Sequence, residues 1–149
     1  MRRLMLGAVA LAVGVVSTAA VALTDDPILT RKKLMWANGA AFYGVAQGMI
    51  KGEIPFNPVM AQSVFQTTSA VGYSFGDYFP DGSDQGDTRA SPAIWENMEE
   101  FQRYLAELRE KSDAAVEAKH QTLEAFKTAV DSINETCGAC HEDFRLARN

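Results

Sequence analysis

Two cysteines three residues apart, with a histidine directly after the second, constrain this chain more than any other feature: Cys137-Gly138-Ala139-Cys140-His141. That spacing is the one used for covalent attachment of a c-type haem. On a helix, Cys137 and His141 are four apart and share a face, and Cys140 lies one step round from both. Two thioethers can then hold the porphyrin edge while the imidazole reaches the iron. Other uses of paired thiols fit less well. A zinc site needs four ligands, and the chain has two Cys and two His, with His120 far off in sequence. A redox dithiol of the thioredoxin kind follows a strand in a βαβ setting, and no strand pattern surrounds this pair. With both cysteines in one motif, none is left for a structural disulfide elsewhere, so packing and the cofactor must hold the core.

The N-terminus points to export. Arg2 and Arg3 form a positive start, Leu4 to Val16 an apolar run, and Ala20-Val21-Ala22 a small-x-small cleavage site. Residues 1–22 therefore read as a signal peptide and residues 23–149 as the mature domain. The alternative is an uncleaved anchor, because Leu4 to Leu23 is nearly all apolar and close to spanning length. Cleavage is preferred because the small-residue motif sits where it should. Either way the remainder lies outside the cytoplasm, and the periplasm is the expected location. If the signal is cleaved, no membrane association is expected. The net charge is −5 for the whole chain and −7 without residues 1–22, since Arg2 and Arg3 leave and no acid leaves with them. Such an acidic surface argues against nucleic acid and anionic lipid as partners. It suits docking to a basic patch on a periplasmic redox partner.

Hydrophobic periodicity divides the mature chain into four helices. Asp26-Pro27 is a cap followed by a first-turn proline, and opens a helix running to about Lys51. Ile28, Met35, Phe42 and Met49 recur on it every seven residues. Gly39, Gly44 and Gly48 lie inside it and permit close approach by a neighbouring helix or a flat ligand. Asn57-Pro58 opens a second helix, with Val59, Val64, Phe65, Val71, Phe75 and Tyr78 on its apolar face and a stop before Pro80. Its outer face is almost free of charge, which suits an oligomer contact. After the turn-rich loop from Pro80 to Ala90, Ser91-Pro92 starts a third helix that buries Ile94, Trp95, Met98, Phe101, Leu105 and Leu108. A turn near Ala118 to Thr122 leads to a fourth, whose stripe from Leu123 and Phe126 continues through Cys137, Cys140, His141 and Phe144. Four amphipathic helices without a strand signal predict an all-α, antiparallel four-helix bundle with the haem occupying core volume.

The C-terminal Cys137-x-x-Cys140-His141-x-x-x-Arg145, the Gly86-Asp87-Thr88-Arg89 turn and the following Ala93-Ile94-Trp95-Glu96-Asn97-Met98 resemble the class II cytochromes c, the cytochrome c′ group. The opening Asp26-Pro27-Ile28 with Arg31-Lys32-Lys33-Leu34-Met35 and Ala37-Asn38-Gly39 resembles the low-spin cytochrome c-556 branch. The resemblance covers the whole mature chain. It implies one covalent haem c, attached at Cys137 and Cys140, with His141 as proximal iron ligand. It implies Met35 as distal ligand, although periodicity alone makes Met35 a core residue. It places Arg31, Asp87 and Thr88 near the haem propionates and Arg145 near the proximal imidazole. Members of that group often pair as homodimers through helices one and two, which the low charge on helix two permits. Two functions follow: a single-electron carrier with His/Met ligation, or a five-coordinate protein binding nitric oxide or carbon monoxide. His120 apart, no histidine is available as a distal acid–base group, so enzyme activity is not expected.

Overall fold

The computed structural model describes residues 26–147, so the signal-peptide assignment for residues 1–22 lies outside the described residues. The first helix, α1, runs through Pro27–Gly39, a π-helical stretch at Ala40–Ala46 and Gln47–Ile50. It begins as its sequence requires: the Asp26 carboxylate accepts from the backbone N–H of Ile28 and Leu29, and Pro27 needs no donor partner. The second helix, α2, spans Pro58–Ser74 behind an Asn57 cap and tightens into a 3₁₀ turn at Phe75–Tyr78. Helix α3 spans Met98–Ala118 and α4 spans Leu123–Phe144. Lys119, in the left-handed region at φ 46°, turns the chain between them, and the Thr122 hydroxyl caps α4 by accepting from the Ala125 N–H. Together these four helices form an all-α bundle, in which α2 packs extensively on both α1 and α3, and α4 packs chiefly on α3.

Two expectations need correction. Ser91-Pro92 starts only a single helical turn, Ala93–Glu96. Asn97, at φ −138° and ψ 57°, leaves helical geometry, and the long helix starts afresh at Met98. Trp95 thus belongs to the loop side, where its indole N–H donates to the Pro80 carbonyl. Val59 was expected on the buried face of α2 and is 75% exposed, because it lies in the first turn beyond the reach of the neighbouring helices. Of the α1 glycines, Gly48 alone shows a close approach: a Cβ there would sit 2.7 Å from Ile54 Cδ1, in the chain's own next loop. Neither Gly39 nor Gly44 would meet an atom within 4 Å.

The interior consists of two apolar clusters rather than one. Phe42, Met49, Phe65, Phe126, Val130 and Ile133 form the first, and Cys137 packs against it. Val71, Phe75, Phe79, Phe101, Leu105 and Phe144 form the second, and Cys140 packs against that one. A cavity lined by residues of both lies between them. Among the described residues, no helix is long and apolar enough to cross a membrane.

A polar link ties α2 to α3 on the outside. The Asp113 carboxylate accepts from the Ser69 and Tyr73 hydroxyls at 2.5 and 2.8 Å, and these bonds, Ser69 first, hold it below the usual carboxylate range. An acid depressed on folding contributes stability above its unfolded pKa and loses it as pH falls through the folded value. Asp113→Asn is therefore expected to lower Tm at pH 7 by roughly 2 °C, the scale of an exposed contact. The difference should close at about pH 2, well under the ordinary aspartate value of ~3.9. Paired thermal melts at the two pH values check this.

Candidate functional site

Between the clusters lies a cavity of about 420 Å³, within the usual range for a cofactor site. Met35 lines it from α1, and Cys137, Cys140 and His141 line it from the last two turns of α4. Phe75, Phe79, Phe101 and Phe144 supply apolar walls. The structure thus brings together residues more than 100 positions apart, because this part of α1 and the end of α4 face the same cavity from opposite walls.

The donor chemistry suits a haem c. Burial pushes the Cys137 thiol up to about 11 and, with Cys137 and Asp143 adding to it, the Cys140 thiol up to about 12. Both sulfurs are thus neutral groups facing apolar surroundings, in keeping with thioether formation and unlike a reactive thiolate pair. Burial, followed by the nearby Arg145 and Arg89 cations, pulls the His141 imidazole down to about 4. At neutral pH His141 therefore offers a lone pair, as an iron ligand must. Zinc finds no comparable set: among the described residues no group of three or more His, Cys, Asp and Glu gathers. His120 is far from the motif, its ring 5.4 Å from that of Phe65 and its Nε2 buried without a hydrogen-bond partner.

One edge of the cavity is cationic. Arg31 is buried at 4% exposure and lines the cavity together with Lys32, Arg89 and Arg145. Among the described residues Arg31 forms no ion pair, since its hydrogen bonds go to the neutral oxygens of Tyr78, Ser83 and Thr88. Asp26 and Asp84 attract it from beyond ion-pair distance, and an anionic group in the cavity would give the buried cation a direct partner. Asp87 is exposed and its carboxylate pairs with the Lys32 ammonium at 2.6 Å. Thr88 accepts from Arg31 at 2.7 Å. Arg145 is exposed at the end of α4, and its backbone N–H donates to the His141 carbonyl at 3.2 Å.

Two residues here, Ser83 and Thr136, were not picked out from the sequence, and a third, Arg89, was named only as part of the loop motif. Ser83 is buried against Arg31. Arg89 donates to the Leu146 carbonyl from two nitrogens and so grips the C-terminal end of α4. Thr136, directly before Cys137, is buried on the cavity wall and donates to Glu107 while accepting from Lys111. None carries a local signal, because each is placed by partners from other elements.

Residues 26–145 match the family model described as Cytochrome C'. A cytochrome c-556 of Agrobacterium fabrum (strain C58) is 33% identical over 105 residues, covering 70% of this chain and 71% of its own. A solved cytochrome c′ from Rhodopseudomonas palustris superposes with a TM-score of 0.78 at 28% identity, covering 84% of this chain and 99% of that one. Another cytochrome c′, with a TM-score of 0.73 at 25% identity over 81% of this chain and 95% of that one, shows ligand-controlled dimer dissociation. Fold, motif and relatives agree, and the chain belongs to the cytochrome c′ family, helical proteins with covalently attached haem c that carry electrons or bind gases and are not enzymes.

Proposed function

We propose that this protein is a periplasmic carrier of single electrons, with Cys137 and Cys140 holding the haem by thioethers and His141 and Met35 as the two iron ligands. The observation that carries this is the placement of Met35 and His141 on the same cavity, from different helices. Met49, on the same stripe of α1, is 1% exposed inside the first cluster, whereas Met35 is only half-buried at the cavity wall. When bound, haem c supplies a one-electron couple between ferric and ferrous iron. The Met35 thioether, a soft neutral donor, favours the ferrous form and raises the potential. Held by these two side chains, the iron would stay low-spin, and the protein would need to rearrange little between oxidation states. The aromatic walls keep water from the iron, Arg31 and Thr88, with Asp87 beside them on Lys32, form the polar edge suited to the propionates, and Arg145 lies beside the proximal His141.

The optical spectrum of the purified protein tests this in both oxidation states. A ferric thioether-to-iron charge-transfer band is expected; a high-spin spectrum without it overturns the ligation. One observation favours the second reading, gas binding at five-coordinate iron: Met35 also packs against the second apolar cluster, as a purely filling residue would. In that case ferrous protein binds carbon monoxide without displacing a ligand.

Residues 1–22 act as the export signal and residues 23–149 as the single exported domain, which the Arg2-Arg3 start and the Ala20-Val21-Ala22 site support. The exported protein exchanges electrons with a periplasmic redox partner. Two copies pair through α1 and α2. A groove between the two helices, lined by Leu34, Ala37, Gln66 and Ala70 and by no charged residue, supports this pairing. Sedimentation velocity should show twice the chain mass at micromolar concentration, and Ala70→Glu should return the monomer by placing charge in the groove. A wild-type monomer throughout that range overturns the pairing.

A further inference from the structure

The cavity walls that carry Met35 and His141 are not fastened to each other directly. The Met35-bearing part of α1 packs chiefly on α2 and the Phe75–Tyr78 turn rather than on α4. Instead, residues 78–91 join them at the cationic edge. Arg31 stands one helical turn before Met35 and on the same face of α1. Its guanidinium lies 4.8 Å from the Phe79 ring centroid and 5.7 Å from that of Trp95. It donates to the Tyr78 carbonyl at 3.2 Å, the Ser83 hydroxyl at 3.0 Å, the Ser83 carbonyl at 2.5 Å and the Thr88 hydroxyl at 2.7 Å. The Thr88 oxygen also accepts from the Ala90 N–H at 3.1 Å.

From there the path continues onto the haem-bearing helix. Ala90 pairs antiparallel with Arg145, the Ser91 N–H donates to the Phe144 carbonyl at 3.0 Å, and the Leu146 N–H donates to the Arg89 carbonyl at 2.9 Å. The Arg145 N–H then donates to the His141 carbonyl at 3.2 Å. An unbroken hydrogen-bonded strap therefore runs from the turn before Met35 to the turn that carries His141. Its central acceptor is Ser83, which is buried, does not line the cavity, and contributes two of the four oxygens that Arg31 uses.

We propose that Ser83 is a positioning residue that acts through Arg31 to set the approach of the Met35 turn to the His141 turn. The inference rests on Met35 being an iron ligand. Removing the Ser83 hydroxyl leaves one N–H of a buried guanidinium without an acceptor. The side chain must then turn toward another oxygen and draws its turn of α1 with it. Small misplacements of this kind matter because the supporting residues determine the ligand's position.

The test uses haem-loaded wild type, Ser83→Ala, Ser83→Thr and Met35→Ala. Carbon monoxide must displace Met35 from ferrous iron, so its affinity reports how firmly Met35 is held. Ser83→Ala is expected to bind carbon monoxide about tenfold more tightly, the factor matching loss of one hydrogen bond to a charged group. Ser83→Thr keeps the hydroxyl and should stay within about twofold of wild type. Amide exchange at Ala90, Ser91 and Leu146 should quicken in Ser83→Ala alone, with or without carbon monoxide. A wild type that shows the thioether band, paired with a Ser83→Ala of unchanged carbon monoxide affinity, overturns the positioning role and leaves the ligation standing. Tighter binding with unchanged exchange at those three amides also overturns it, because the strap is then not the route. A wild type without the band, binding carbon monoxide no more weakly than Met35→Ala, overturns both.

Discussion

Replacing Cys137 and Cys140 together with alanine is expected to yield a chain that, after purification, has no covalent haem, no Soret absorbance and little of its fold. The two cysteines attach to different parts of the interior, Cys137 to the first apolar cluster and Cys140 to the second. The cofactor between them therefore does more than sit in a pocket: it completes a core that the side chains leave in two halves. At ~24 cal/mol for each Å³ of unfilled space, a cavity of about 420 Å³ costs up to about 10 kcal/mol if dry. The opening to solvent admits water and lowers that figure. Domains of this size are stable by only about 5–15 kcal/mol in total, so the loss is comparable to the whole. Intact mass, the Soret band and a far-ultraviolet thermal melt after export in a host that matures c-type cytochromes check this. A double variant that melts within a few degrees of wild type would show that the helices close the gap unaided.

Met35→Ala is expected to change the iron without unfolding the protein. The side chain is half-buried and its neighbours in the second cluster are already in contact with one another. Truncation therefore costs less than the ~2–5 kcal/mol of a fully buried methionine. Its effect on the site is larger. Where Met35 occupies 99 parts in 100 of the ferrous iron, removing it raises carbon monoxide affinity on the order of 100-fold. The charge-transfer band should vanish, the ferric spectrum should turn high-spin, and the potential should fall as the soft donor is lost. A variant indistinguishable from wild type in spectrum and carbon monoxide affinity would reduce Met35 to a packing residue, and the gas-binding reading would take its place.

The haem motif and the four helices could be read from the chain because their signals are local. Asp26-Pro27 and Asn57-Pro58 announce helix starts through groups within three residues of themselves, and both caps are present. The break at Asn97 was not legible: the run from Ile94 to Leu108 keeps helical spacing, and the interruption shows only in the backbone angles of Asn97. Arg31 was visible by resemblance, but not the use of four of its five donor hydrogens on residues 78–88. His120 illustrates the same limit. It lies in the α3–α4 turn, where sequence suggests surface, yet its ring meets Phe65 from α2.

The amino-acid order alone determined that this chain is all-helical and built to bind haem through its last helix, since a short motif and helical periodicity act over a few residues each. Only the tertiary structure decided that Met35 faces the same space as His141, that the core is split around that space, and that Ser83 and Arg31 strap its two walls together. Those facts depend on contacts between residues some 50 to 100 positions apart, which no local spacing encodes, and which exist only after the helices have packed.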